Sequence, residues 1–324
     1  MKWEFVLLVV LIVALGVAGF LLYTLYYPAE TKYFTISEEG LSDSGNNMDS
    51  VDNSLSELDG EASYPGGMLF YDNIRFPSRN ISYYISSDCS DVKKDDARRA
   101  FAIIADKTII DFYEVVNNGQ IEVSCSEERV LQDEFAEHFI AGEGGPSSII
   151  NTSFYQVILN GTILFYRSNE CSTPIVAMHE IFHVLGFKHS INRKSIMYNF
   201  SECNQQIGQE IIDKIYMLYG DSSLPDLYFQ SINATNTGRY INFEAQILNG
   251  GLAISKNVSF SVYANSEKSS NYEIGALEIG AGKIIRVENL AVMYDTKNLT
   301  FIIDEKDSIL EINKKNNKKN LIIS

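Results

Sequence analysis

The sequence predicts two successive folds behind an N-terminal apolar helix. The first is an α+β domain, a twisted mixed sheet with one helix as its working element, and the second is an all-β immunoglobulin-like sandwich. Three observations carry this. Residues 81–125 pass from alternating apolar residues through a helical apolar stripe and back to alternation. Beyond Leu224 apolar residues recur at every second position in short runs separated by glycines. Phe5 to Tyr27 holds no charge at all. A chain of 324 residues, 45% hydrophobic and 12% aromatic, has the material for two ordinary cores.

In chain order, the run from Phe5 to Tyr27 is long enough to cross a hydrocarbon core of about 30 Å and is read as a membrane span within residues 1–27. A cleaved signal peptide is the competing reading, with Val17-Ala18-Gly19 as a cut site. Lys2 on the short side orients the remainder outside the cytoplasm, a single-pass arrangement whose compartment permits disulfides. Residues 28–66 are rich in Ser, Asn, Gly and acid and read as a disordered acidic linker.

The first globular domain is expected over residues 67–221. Ile81 to Ile85 alternates as a strand, and Ala97, Phe101, Ile104, Thr108, Phe112 and Val116 form the stripe of a helix ending at Asn117-Asn118-Gly119. Ile121 to Cys125 is the next strand, reached by a right-handed parallel crossover. Gly142 to Pro146 reads as loop. Phe154 to Leu159 and Thr162 to Tyr166 flank Asn160-Gly161, the signal of a two-residue hairpin.

The chemistry lies in His179-Glu180-Ile181-Phe182-His183-Val184-Leu185-Gly186-Phe187-Lys188-His189. Thr173 as cap and Pro174 in the first turn start a helix that runs to Leu185 and sets His179 and His183 one turn apart on one face, a two-imidazole clamp for zinc. Gly186 can take the left-handed conformation that turns the chain back and delivers His189 as third ligand. Glu180 is the candidate general base, placed to take a proton from a metal-bound water. Such a pattern arises by accident with odds on the order of 10⁻⁵ in a chain this long, so chance is set aside.

This extended motif resembles that of the metzincin zinc metallopeptidases, and Leu185-Gly186 with Ser190 after the third histidine is similar to the matrixin branch. Ser195-Ile196-Met197-Tyr198 resembles the family's Met-turn, which implies Met197 beneath the imidazoles. Ile211 to Gly220 is similar to the closing helix of matrixin catalytic domains. The resemblance implies a zinc metalloendopeptidase with one catalytic Zn²⁺, protein or peptide as substrate, and an antiparallel edge strand, one arm of the hairpin, above the cleft. Family members carry Tyr-Pro-x-Tyr after the Met; here the proline is lost and Tyr198-Asn199-Phe200 stands, with Tyr198 and Phe200 as candidate pocket residues.

Four cysteines allow three pairings. Cys89 with Cys125 and Cys171 with Cys203 are favoured, because the first two follow neighbouring parallel strands and the last two flank the zinc helix and Met-turn; free thiols are the alternative. Residues 222–324 form the sandwich, with strands at Asp226 to Ile232, Tyr240 to Leu248, Val258 to Tyr263, Ile284 to Leu290 and Leu299 to Ile303. Pro225-Asp226-Leu227, Asn249-Gly250-Gly251, Ala281-Gly282, Asp304, Glu311 and Asn316-Asn317 resemble the cell-adhesion-related CARDB sandwich, which implies a surface protein or glycan as partner. The rival reading is therefore an adhesion or binding protein whose protease-like domain is inactive. A net charge of −16 and a pI near 4.7 argue against nucleic acid. The one basic run, Lys314, Lys315, Lys318 and Lys319, reads as a solvated loop.

Overall fold

The structure, a computed structural model, describes residues 33–40, 67–126, 141–167 and 171–323. The expected membrane helix lies outside the described residues, and among the described residues no helix is long and apolar enough to cross a membrane.

The earliest described element departs from expectation. Strand β1 (Tyr33–Gly40) lies inside the segment expected to be a free linker. Its backbone pairs antiparallel with a strand of the C-terminal sandwich. Alternation is weak in Tyr33-Phe34-Thr35-Ile36-Ser37, and pairing with a partner some 250 residues away leaves no local trace.

The first domain is a six-stranded sheet with helices packed on it. Strands β2 (Ile74–Arg75), β3 (Asn80–Ile85), β4 (Asp111–Glu114), β5 (Ile121–Cys125) and β7 (Gln156–Phe165) run parallel, in the order β2-β7-β5-β3-β4. Strand β6 (Gly142–Asn151) runs antiparallel along β7 and forms the edge.

Helix α1 (Asp91–Lys107) starts where Ser90 accepts a hydrogen bond from the Lys93 amide. It buries Ala97, Ala100, Phe101 and Ile104 against the sheet, each large apolar side chain contributing about 1.5–3 kcal/mol. The helix is shorter than its stripe suggested. Thr108 bonds back to the Ile104 carbonyl, and the β-branched run Thr108-Ile109-Ile110 leads into β4. Phe112 therefore belongs to a strand, and Val116 is 91% exposed.

Two further expectations fail for one reason. Gly142 to Pro146 is the first half of β6, not a loop, and Asn160-Gly161 lies inside the continuous strand β7, not at a hairpin tip. The glycines serve close approach. A Cβ on Gly161 would stand 2.3 Å from Val184 Cγ1, and one on Gly144 2.5 Å from the Glu180 carbonyl. Sheet and helix touch where these side chains are missing.

The disulfides are Cys89–Cys125, joining the ends of neighbouring β3 and β5, and Cys171–Cys203. Helix α2 (Ile175–Val184) has all ten residues buried and packs against α1, β6 and β7. Pro174, with no side-chain bond, occupies its N-cap position in place of Thr173. Helix α3 (Gln209–Tyr219) closes the domain. Its Leu218 carbonyl receives Nη1 of the buried Arg75, whose guanidinium lies 4.5 Å over the Tyr219 ring.

The sandwich stacks two four-stranded antiparallel sheets. One has the order β1-β12-β9-β8, from β8 (Leu227–Thr237), β9 (Tyr240–Asn249) and β12 (Ala281–Ala291); the other is β11-β10-β13-β14, from β10 (Val258–Ala264), β11 (Glu267–Gly275), β13 (Asn298–Ile303) and β14 (Lys318–Ile322). Phe229, Phe243, Phe260 and Phe301 meet edge to face between the sheets. Strands β11 and β14 were missed because their residues are mostly polar and exposed. The basic run is loop only in its first half: Lys314 and Lys315 lie in a turn, with Lys314 held among Asp304, Asp307 and Glu311, while Lys318 and Lys319 belong to β14.

Candidate metal centre

Helix α2 sets His179 and His183 on one face, and the chain beyond it brings His189 to them. Gly186 has φ +97°, which a residue with a side chain rarely adopts, and a Cβ there would also meet Ile74 Cγ2 at 2.6 Å. The turn is held from outside, since Phe70 and Lys188 exchange backbone bonds with Gly186 and Met68. His183 Nε2 lies 3.0 Å from His179 Nε2 and 3.1 Å from His189 Nε2. Ligands at about 2.0–2.1 Å around a tetrahedral zinc stand about 3.3 Å apart, so the spacing suits that ion closely.

The opposite ring nitrogens explain why the three point inward. His179 Nδ1 is 2.7 Å from the Ile196 carbonyl and His183 Nδ1 is 2.8 Å from the Phe187 carbonyl. A carbonyl can only accept, so each Nδ1 carries the hydrogen and each Nε2 presents a bare lone pair. Burial holds both rings neutral, pushing His179 down to about 4 and His183, with its histidine neighbours adding to the effect, to about 3. His189, the exposed member, is lowered by the same cause. Two lone pairs facing each other at 3.0 Å repel unless a cation lies between them. The residues present therefore fit a zinc ion, and among the described residues the three histidines form a cluster of His, Cys, Asp or Glu side chains close enough together to share one metal.

Met197 is fully buried, and its carbonyl accepts the Ser190 amide at 2.7 Å, which ties the turn to the third ligand's neighbour. The orienting carbonyls of Ile196 and Phe187 have no signature in the sequence. Glu180 is 5% exposed. Burial, and then the neighbouring Glu143 carboxylate, raise its pKa to about 8. Strand β6 lies directly on it: a Cβ on Gly142 would be 3.0 Å from Glu180 Cγ and 3.2 Å from Oε1. Tyr198 and Phe200 lie with their rings tilted at 57° and 5.9 Å apart just past Met197, Phe200 being 38% exposed.

A buried helix with a three-imidazole cluster and an adjacent carboxylate, on a mixed sheet with an antiparallel edge, defines a zinc-metallopeptidase type of site. Family comparison agrees: residues 75–220 match the Matrixin family and residues 224–321 match CARDB. The chain thus joins a matrixin-like domain of the metallopeptidases to a CARDB sandwich. No curated protein matches it. Among solved structures, the CARDB domain of a Pyrococcus furiosus protein in complex with di-metal ions is 17% identical, covering 31% of this chain and 90% of that one, with a TM-score of 0.26. High choriolytic enzyme 1, a hatching enzyme zinc-protease from Oryzias latipes (medaka), is 20% identical over 35% of this chain and 46% of its own, with a TM-score of 0.22. Myroilysin is 11% identical over 50% and 90%, with a TM-score of 0.30.

Proposed function

We propose that the protein is a zinc-dependent endopeptidase, anchored in a membrane through residues 5–27, that hydrolyses peptide bonds of proteins outside the cytoplasm. The single observation that carries the catalytic part is the pair of carbonyl-locked imidazoles whose bare nitrogens converge with a third. His179, His183 and His189 would hold the ion. Zinc bound there supplies Lewis acidity, lowering the pKa of a water and polarising a substrate carbonyl. The charge of a bound zinc would favour the ionised Glu180 carboxylate against the burial that raises its pKa, and Glu180 would then take the proton of the attacking water and pass it to the departing amine. Its burial under β6 excludes bulk solvent from that transfer, and Gly142 leaves room for the carboxylate to move.

Strand β6, with Gly142 and Gly144 next to Glu180, is the edge along which an extended substrate would pair. Tyr198, half-buried, and the exposed Phe200, both past the Met-turn, would meet the substrate side chain. Location rests on the uncharged N-terminal run and on two disulfides, which persist in oxidising compartments. The sandwich would act as the binding module, for a surface protein or glycan.

The test is metal analysis of the purified chain together with a peptide-library cleavage assay, with and without chelator. Wild type should carry one zinc and cleave, and Glu180→Gln should keep the zinc and lose at least about 10³-fold in kcat/KM. A Glu180→Gln protein with full activity overturns the mechanism, and a wild type that binds zinc but cleaves nothing favours the adhesion reading.

A further inference from the structure

The sandwich holds a second group of metal-type donors, unrelated to the imidazoles. Asp226, one residue before β8, is fully buried. Its Oδ1 accepts from Asn316 Nδ2 at 3.0 Å, while Oδ2 is sealed from solvent without a hydrogen-bond partner. The Asn313 backbone amide is near enough to favour the carboxylate but makes no hydrogen bond to Oδ2. Asn316 Oδ1 and Asn317 Oδ1 are also buried and unpartnered. Asn317 Nδ2 is spent on Glu311 Oε1 at 2.8 Å, and Glu311 Oε2 accepts the amide of Leu227, the residue after Asp226, at 2.7 Å.

Each unpartnered atom of this corner is thus an oxygen, and the amide nitrogens of Asn316 and Asn317 already donate to Asp226 Oδ1 and Glu311 Oε1. Buried oxygens that lack a protein donor are met by a water or a cation, and where one of them belongs to a carboxylate the cation also neutralises its charge. Lys314 is committed to Asp304 and Asp307, both at 2.7 Å, and to Glu311 at 3.2 Å. Arg75 shares a cavity of about 310 Å³ with Asp226, Asn313 and Tyr155, where the catalytic domain meets the sandwich. Its guanidinium is already bonded to the Phe76, Leu218 and Pro77 carbonyls. Among the described residues Asp226 has no cationic partner, and burial raises its pKa, opposed by Asn316 and the Asn313 amide.

We propose that Asp226, with Asn316, Asn317 and the adjacent Glu311, forms a calcium-class cation site at the junction of the two domains. The donors are carboxylate and amide oxygens with no imidazole or thiolate, which suits a hard ion and not zinc. An adaptable, mixed oxygen set suits calcium better than magnesium, which demands a near-ideal octahedron. A bound ion would tie the start of β8 to the loop before β14 and firm the domain junction.

The test is calcium binding to the full chain by titration calorimetry at constant saturating zinc, with a melting curve alongside. Wild type should bind about one calcium with a dissociation constant of roughly 10⁻⁴ to 10⁻³ M, the range of extracellular modules. At ten times that concentration it should melt about 3 to 6 °C higher. Asp226→Asn should weaken binding at least about tenfold. Asn316→Ala, which removes one oxygen and leaves the carboxylate, should weaken it measurably and serves if Asp226→Asn fails to fold. Asp307→Asn, an exposed partner of Lys314, and His179→Ala should bind calcium as wild type does. No binding up to about 10 mM, an ample excess over that range, or wild-type affinity in Asp226→Asn or in Asn316→Ala, overturns the site.

Discussion

Replacing Gly144 by alanine adds one methyl group to the strand that lies on α2. The new Cβ would stand 2.5 Å from the Glu180 carbonyl oxygen and 3.0 Å from Glu180 Cα. Both are backbone atoms, so no rotamer change relieves the clash, and β6 and α2 must separate by roughly 1 Å. Overpacking of this kind costs about 1–3 kcal/mol, which lowers the melting temperature by about 3 to 10 °C in a domain of this size. If Glu180 is the base as proposed, shifting it by about 1 Å should cost on the order of 10²-fold in kcat/KM. Gly145 is the internal control, since a Cβ there meets nothing within 4 Å. The entropy that alanine removes from the unfolded chain is shared by both variants and cancels in their difference. The measurement is a paired melting curve, zinc content and peptide-cleavage rate for the two proteins. If Gly144→Ala melts and cleaves like Gly145→Ala, the close contact between strand and base does not exist, and the account of β6 as the wall of the site collapses.

Three further outcomes are expected. Removing the Cys171–Cys203 bridge, which closes a separation of 32 residues, should cost about 3–4 kcal/mol of unfolding free energy and speed zinc loss to a chelator; an unchanged off-rate would mean the bridge does not brace the site. Asp304 in the sandwich is held at about 2: burial works against ionisation, but Lys314, Ser308 and the Ile309 and Ser308 amides outweigh it. Its stabilising contribution is complete above the unfolded value near pH 4 and disappears as pH falls through about 2, so the sandwich should lose stability across that window. Asp304→Asn should be less stable at neutral pH and should flatten that dependence; a parallel pH profile in the variant would show that Asp304 is not responsible.

The chain announces its metal site in one line of residues because the donors sit on consecutive helical turns and one glycine bend. Spacing of four along a helix and a φ-positive glycine are local rules, so His179, His183, Gly186 and His189 are legible before any fold is known. The same locality made Ile121 to Cys125 and the alternating strands β9, β10 and β13 readable, because there the apolar period and the burial coincide.

What resisted reading depends on partners distant in sequence. A glycine is a turn signal by default, yet Gly142, Gly144 and Gly161 sit in strands because α2 presses on the sheet at those points, a fact that exists only once helix and sheet are packed. The carbonyls of Ile196 and Phe187 fix the tautomers that aim two imidazoles inward, and a backbone oxygen is identical in every residue. Residue identity alone thus determined which atoms could bind the metal; the packed chain decided where those atoms face, because hydrogen-bond direction and steric approach are properties of three-dimensional neighbours.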